Sequence, residues 1–225
     1  MCRRLFQILA GVPIRTNLGL LQLFFALLSG RFLPSRGALF PALADTGLSE
    51  EAVRRSSAAL RDGKWNLAQL LAAWRKCVQT EGHFRRHAYE GYHPVACDLV
   101  GFFRSHLHGQ VGKHYTSKAG KALPAMVFGM VADIGSVGKT RLPLLRYLLR
   151  QKADETEPVL QARLLKETAR TLHKNEILVT DAGFSLADLL GNTPAAFVTR
   201  LDQNVTARRN RLPEYKGRGA HPKFG

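Results

Sequence analysis

The chain has 225 residues, 33 Lys and Arg against 17 Asp and Glu, and a formal net charge of +16. With 45% hydrophobic residues it can fill a core, so the charge is not that of a disordered basic tail, and it argues against most ordinary metabolic enzymes. Such a surface attracts phosphate polymers or anionic membranes, and the length allows one large domain or two small ones.

The first 90 residues read as helical. Leu18 to Leu28 is the most apolar stretch, with Leu18, Leu21, Phe25 and Leu28 on one face and Gly30 placed to end the helix. It is too short for a membrane span, which needs about 20 apolar residues. A buried helix is expected; a signal peptide is the lesser reading, because Arg31, Pro34 and Arg36 follow where a small-residue cleavage site belongs. Pro34, Gly37 and Pro41 then suggest a loop. Ser49 can cap a second helix, with Glu50 and Glu51 in its first turn and Gly63 at its end. Its Arg54, Arg55 and Arg61 are left for solvent or for DNA phosphates. Asn66 can cap a third helix carrying Leu67, Leu70, Leu71, Trp74 and Val78. The last two helices allow either a helix-turn-helix unit or a plain bundle with a solvated basic face.

The texture changes near Tyr89 to Pro94, where a domain boundary is placed. Pro94 to Val100 reads as a strand holding one acid, Asp98, and Ala122 to Ile134 as a second apolar strand. The turn Gly135-Ser136-Val137-Gly138 leads into a third from Leu142, giving an antiparallel hairpin. Pro158 to His173 is an amphipathic helix. Glu176 to Thr180 is a strand ending on Asp181, Ser185 to Leu190 a short helix closed by Gly191, and Ala196 to Leu201 a last strand. The order predicts an α/β protein: a helical N-terminal region over 1–90, then an RNase H-like core over 91–201, antiparallel strands first and parallel strands with helices after. Net charge is +7 over 1–90, +4 over 91–199 and +5 over 200–225, so the core is the most balanced part.

Asp98 and Asp181 each end or interrupt an apolar strand. A carboxylate so placed is costly to bury without a cation, and two of them on neighbouring strands can hold Mg²⁺ or Mn²⁺ for phosphodiester chemistry. Cys2, Cys77 and Cys97 are odd in number and far apart, which suits a reducing cytosol better than a zinc site. Gly138-Lys139-Thr140 lacks the earlier glycine of a phosphate-binding loop, since Asp133 stands there. His83, His87, His93, His106, His108 and His114 have no cysteine at finger spacing and read as polar loop residues. Lys113, His114 and Lys118 follow the first strand and are candidates to touch DNA. Arg200, Arg208, Arg209 and Arg211 open a basic tail that tracks a DNA backbone or is simply disordered.

The run Val179-Thr180-Asp181-Ala182-Gly183-Phe184, followed by Phe197 to Asn204, resembles the second catalytic block of bacterial insertion-sequence DDE transposases. Ala96 to Arg104, with Lys113-His114-Tyr115 and Gly120 to Pro124, is similar to the first block of that family, and Ser29 to Phe40 to its leader region. The resemblance implies that Asp98 and Asp181 are the first two acids of a metal-binding triad. It implies a Glu as the third, on a helix after the last strand; the only Glu there is Glu214, in a loop flanked by Pro213 and Gly217, and it does not fit. By this reading the chain is an N-terminal fragment, with 202–225 the disordered start of an insertion and the core truncated. The implied activity is Mg²⁺- or Mn²⁺-dependent cleavage and strand transfer at the element's terminal repeats, scarcely present in this chain alone. The implied partners are double-stranded DNA, both terminal repeats and target, and a second copy in the complete enzyme. No membrane is involved, and the location is cytoplasmic and nucleoid-associated. The alternative is a non-catalytic DNA-binding protein that represses transposition.

Overall fold

The structure, a computed structural model, describes residues 2–12, 14–35, 38–81, 83–103, 112–192, 196–201, 215, 217 and 219. Among these it is a mixed α/β arrangement of seven helices and one curled sheet holding both antiparallel and parallel strands. The helical part is α1 (Cys2–Leu9), α2 (Ile14–Leu28), α3 (Leu39–Ala44), α4 (Glu50–Asp62) and α5 (Leu67–Glu81). None of the described helices is long and apolar enough to cross a membrane.

Local chemistry sets these helix ends. Ser49 Oγ accepts the Ala52 N–H at 3.3 Å at the start of α4, and Asn66 Oδ1 accepts the Gln69 N–H at 3.1 Å at the start of α5. At the end of α2, Gly30 takes φ +75, while Arg31 N–H bonds to Ala26 O at 3.0 Å and Gly30 N–H to Leu27 O at 3.1 Å. That pair of bonds is a Schellman closure, which needs a residue at ease in the left-handed region.

Two expectations for the helical part are corrected. On α2 the buried residues are Gly19, Leu20 and Ala26, whereas Leu18, Phe25 and Leu28 are exposed. The cause is close packing on α4: a Cβ on Gly19 would lie 2.4 Å from that of Ala59, so the helix turns its smallest residues, not its largest, toward its neighbour. The loop expected around Pro41 is instead α3, with Pro41 in its first turn, where its missing N–H is not needed. The possible helix-turn-helix is also absent: α4 packs chiefly on α2 and α3, and α5 on α1 and the sheet, so the two do not form one unit.

The sheet comprises β1 (Phe84–Arg86), β2 (His93–Phe103), β3 (Gly112–Thr116), β4 (Lys121–Val137), β5 (Thr140–Arg150), β6 (Glu176–Thr180) and β7 (Phe197–Thr199). Its helices are α6 (Glu157–Thr171) and α7 (Leu186–Asn192). The sheet thus begins at Phe84, ahead of the expected boundary. β4 is the spine: β1 and β2 follow one edge, β3 and β5 the other, because Ala125 partners both Phe103 and Gly112 and Met130 both Asp98 and Leu148. Read across its middle, the sheet runs β5-β4-β2-β6-β7, with β4 antiparallel to both β2 and β5, and β6 and β7 parallel to β2.

One face of this sheet is core. Val95 and Cys97 of β2, Val131 of β4 and Leu178 of β6 pack with Leu164 and Leu165 of α6, Phe184 and Leu189. Gly129 belongs to this contact, since a Cβ there would come within 2.7 Å of Leu164. Burial holds the Cys97 thiol up at about 12, the charge of Asp98 adding to the rise, so the thiol is inert at neutral pH.

Candidate active site

Strand parity sends Asp98 and Asp181 to the face away from that core. Val95 and Leu178 are register partners and both point inward; Ala96 and Val179 are the next pair and point outward. Two residues further along each strand stand Asp98 and Asp181, both exposed. Neighbouring strands lie about 4.8 Å apart, so carboxylates at one level are within reach of a shared ion or ion pair.

Each carboxylate is aimed by the backbone. Asp98 Oδ1 accepts its neighbour Leu99 N–H at 2.7 Å, and Asp181 Oδ1 accepts the Gly183 N–H at 3.0 Å. The turn after β6 is itself fixed: Gln161 Nε2 donates to Gly183 O at 2.9 Å, Thr199 Oγ1 donates to Asp181 O at 3.1 Å, and Phe184 is buried in the core. Gly183 leaves little room for a side chain, because its Cβ would sit 3.1 Å from Asp181 Oδ1. Neither Oδ2 accepts a hydrogen bond among the described residues, and neither acid has a Lys or Arg partner there. Burial raises the Asp98 carboxyl above its ordinary value; the Leu99 N–H offsets part of that, and the charge of Asp181 adds to it. Among the described residues no three His, Cys, Asp or Glu side chains form a metal-holding group.

The face around the two acids is apolar and thinly covered. Asp98 is level with Met130 of β4 and Leu148 of β5, and Phe102 stacks edge-on against Phe128 with centroids 5.5 Å apart. Phe102 remains exposed.

The other candidate residues are dispersed. His114, expected in a loop, lies on β3 with Lys113, and Lys118 is in the turn after it. Lys113 is exposed, but His114 is largely covered: its Nδ1 meets Glu157 Oε1 on α6, and its ring lies so close over Gly101 that a Cβ there would come within 2.5 Å. Its charge acts on Asp98 in the direction opposite to that of Asp181. Arg54 pairs with Glu50 at 2.6 Å, Arg55 with Glu51 at 2.9 Å and Arg61 with Asp62 at 2.9 Å, all exposed. The three arginines of α4 therefore carry no net excess of charge along their own helix. Arg200 is exposed just beyond β7. Arg208, Arg209 and Arg211 lie outside the described residues, as does most of 202–225.

Sequence reasoning missed a second set of acids. Asp133 of β4 and Glu176 of β6 are almost wholly buried and are held by Arg75 of α5, Arg86 of β1 and Arg146 of β5. The signal was present, since Asp133 interrupts an apolar run just as Asp98 does.

No protein-family model, curated protein or solved structure matches the chain.

Proposed function

We propose that the chain carries the first two metal-binding acids of a DDE-type transposase, on an RNase H-like core, acting on the phosphodiester bonds of DNA. The observation that carries this reading is that Asp98 and Asp181 each stand two residues beyond the register pair Ala96 and Val179 of the parallel strands β2 and β6, each with one oxygen fixed by a backbone N–H and the other without a hydrogen bond among the described residues. The strand order β5-β4-β2-β6-β7, antiparallel and then parallel, supports the fold assignment, because it is the order such a core has.

The residues suit a divalent cation with oxygen ligands. Asp98 has its carboxyl raised by burial and by a like charge, which a cation would relieve, and Mg²⁺ is usually held by one or two carboxylates while keeping several waters. When bound, Mg²⁺ or Mn²⁺ supplies activation of a water or 3′-hydroxyl and neutralises charge on the leaving oxygen. The chain's own part is positional. Leu99 N–H and Gly183 N–H fix the two carboxylates, Thr199 and Gln161 brace the Asp181 turn, and the apolar surround of Met130 and Phe128 lowers the local dielectric.

Nicking of supercoiled plasmid DNA by the 225-residue chain, with and without Mn²⁺, tests this reading. Weak metal-dependent nicking that is lost in both Asp98→Asn and Asp181→Asn is the expected result. Activity that is unchanged in these variants removes the assignment.

A further inference from the structure

Arg75, Arg86 and Arg146 converge on Asp133 and Glu176 where α5 meets the sheet. Three guanidiniums face two carboxylates, so one positive charge is left over. Hydrogen-bond accounting gives the same surplus. The carboxylate oxygens take Arg75 Nη2 at 2.7 Å, Arg86 Nη2 at 2.6 and 3.1 Å, and three nitrogens of Arg146 at 2.5 to 3.0 Å. Arg75 Nε and Arg86 Nε are buried with no acceptor among the described residues. An unpaired buried donor carries its whole desolvation penalty, and the surplus guanidinium charge is what an anion from outside the chain would balance.

The cluster is open on one side. Arg75 and Arg86 keep 28% and 27% of their side-chain surface and, with Arg146, Gln79 and His173, line a pocket of about 330 Å³. Glu176 is the only acid among its lining residues, and it is already engaged by Arg146 and Arg86. That volume is at the small end of the range for bound small molecules and does not admit a duplex. Guanidinium edges match phosphate oxygens in charge and in planar geometry.

We propose that this pocket binds a phosphate group. It stands at the opposite end of β6 from Asp181, five residues or about 16 Å along the strand, so it is separate from the candidate active site and does not depend on the function proposed there. The phosphate is either the free inorganic ion or the terminal phosphate of a nucleic acid strand; the chemistry of capture is the same.

Thermal melting of the 225-residue chain at fixed ionic strength, with inorganic phosphate replacing chloride, reads the site directly. A saturable rise of about 3 °C at roughly ten times the dissociation constant is expected. Arg86→Gln removes a ligand and also disturbs the ion cluster, so the deciding variants are at the exposed position Gln79, which lines the pocket but is not among the ion pairs of the cluster. Gln79→Glu places a carboxylate at the pocket and abolishes the rise; Gln79→Lys preserves it. No rise in the wild type, or the same rise in wild type and Gln79→Glu, overturns the proposal, because phosphate then acts only as an excluded salt. Duplexes with and without a 5′-phosphate separate the two sources. Tighter binding of the phosphorylated duplex that Gln79→Glu erases assigns the pocket to a strand end; equal binding of both, with stabilisation by the free ion intact, assigns it to inorganic phosphate.

Discussion

Two pairs of acids lie toward the two ends of β6 under opposite conditions. At one end Asp133 and Glu176 are buried, with each oxygen held by an arginine. At the other, Asp98 and Asp181 are reachable by solvent and, among the described residues, accept hydrogen bonds from backbone N–H groups and have no Lys or Arg partner. The sheet is the same; the difference lies in what the neighbouring elements bring. β1, β5 and α5 deliver three guanidiniums to the first pair, while the face around the second offers Met130, Leu148 and Phe128. Acids compensated by their own chain are a structural tie, and acids left uncompensated are where an external cation gains most.

The strongest way to break this contrast is to remove the arginine common to both buried acids. Arg146→Met should cost about 3–5 kcal/mol, a fall in Tm of roughly 10 °C, because two buried carboxylates lose their main partner. A loss under about 1 kcal/mol, measured by urea unfolding, would mean that the cluster is not a structural tie.

The same end of the sheet sets an acid response. Burial alone would raise the Glu176 carboxyl, but hydrogen bonds from Arg146, the His173 N–H and Arg86 outweigh it and hold the group at about 2, below its ordinary 4.5. A depressed carboxyl contributes stability that is present above the unfolded value and lost as pH falls through the folded one. Melting temperature should therefore drop between about pH 4.5 and 2 in the wild type. Glu176→Gln should be less stable at neutral pH but show a shallower decline across that window; parallel curves would assign the acid response elsewhere.

At the opposite end the sign reverses. Asp98 has its carboxyl raised, so its ionised form at neutral pH opposes folding in the absence of metal. Asp98→Asn should raise the metal-free Tm slightly, at the expense of function. A lower Tm would place Asp98 among the structural acids.

The smallest effect is expected where ion pairs are fully wet. Arg54→Ala breaks an exposed pair with Glu50 one turn away and should change stability by no more than about 0.5 kcal/mol, comparable with the limit of calorimetric comparison. A cost matching that of Arg146→Met would show that burial is not what separates the pairs.

What the sequence disclosed follows this same division between local and distant causes. Ser49, Asn66 and Gly30 act on residues within one turn, and those helix ends were legible. The apolar runs of β4 and β6 and the position of Asp181 at the end of its strand were legible for the same reason. β3 was not, because Gly112-Lys113-His114-Tyr115-Thr116 has no apolar alternation and its strand pairing is to the edge of β4. The inward face of α2 was misread because Gly19 and Ala26, not the leucines, decide how closely α4 approaches.

The arginine cluster was the least legible part. Arg75 and Asp133 are 58 residues apart, and Arg86 and Glu176 are 90. Arg146 reaches them through a β-bulge: Tyr147 partners Val131 and Leu145 partners Ala132, so Arg146 is the extra residue turned to the core face. An acid within an apolar run signals a partner without saying which. For Asp133 the partner is in the chain, and for Asp98 none is found among the described residues.

The central claim is that Asp98 and Asp181 form one cation site. Calorimetric titration of the 225-residue chain with Mn²⁺ measures it most directly. Saturable binding is expected, lost in Asp98→Asn and in Asp181→Asn alike, while both variants keep the wild-type fold by circular dichroism. Binding that survives either substitution unchanged would contradict it.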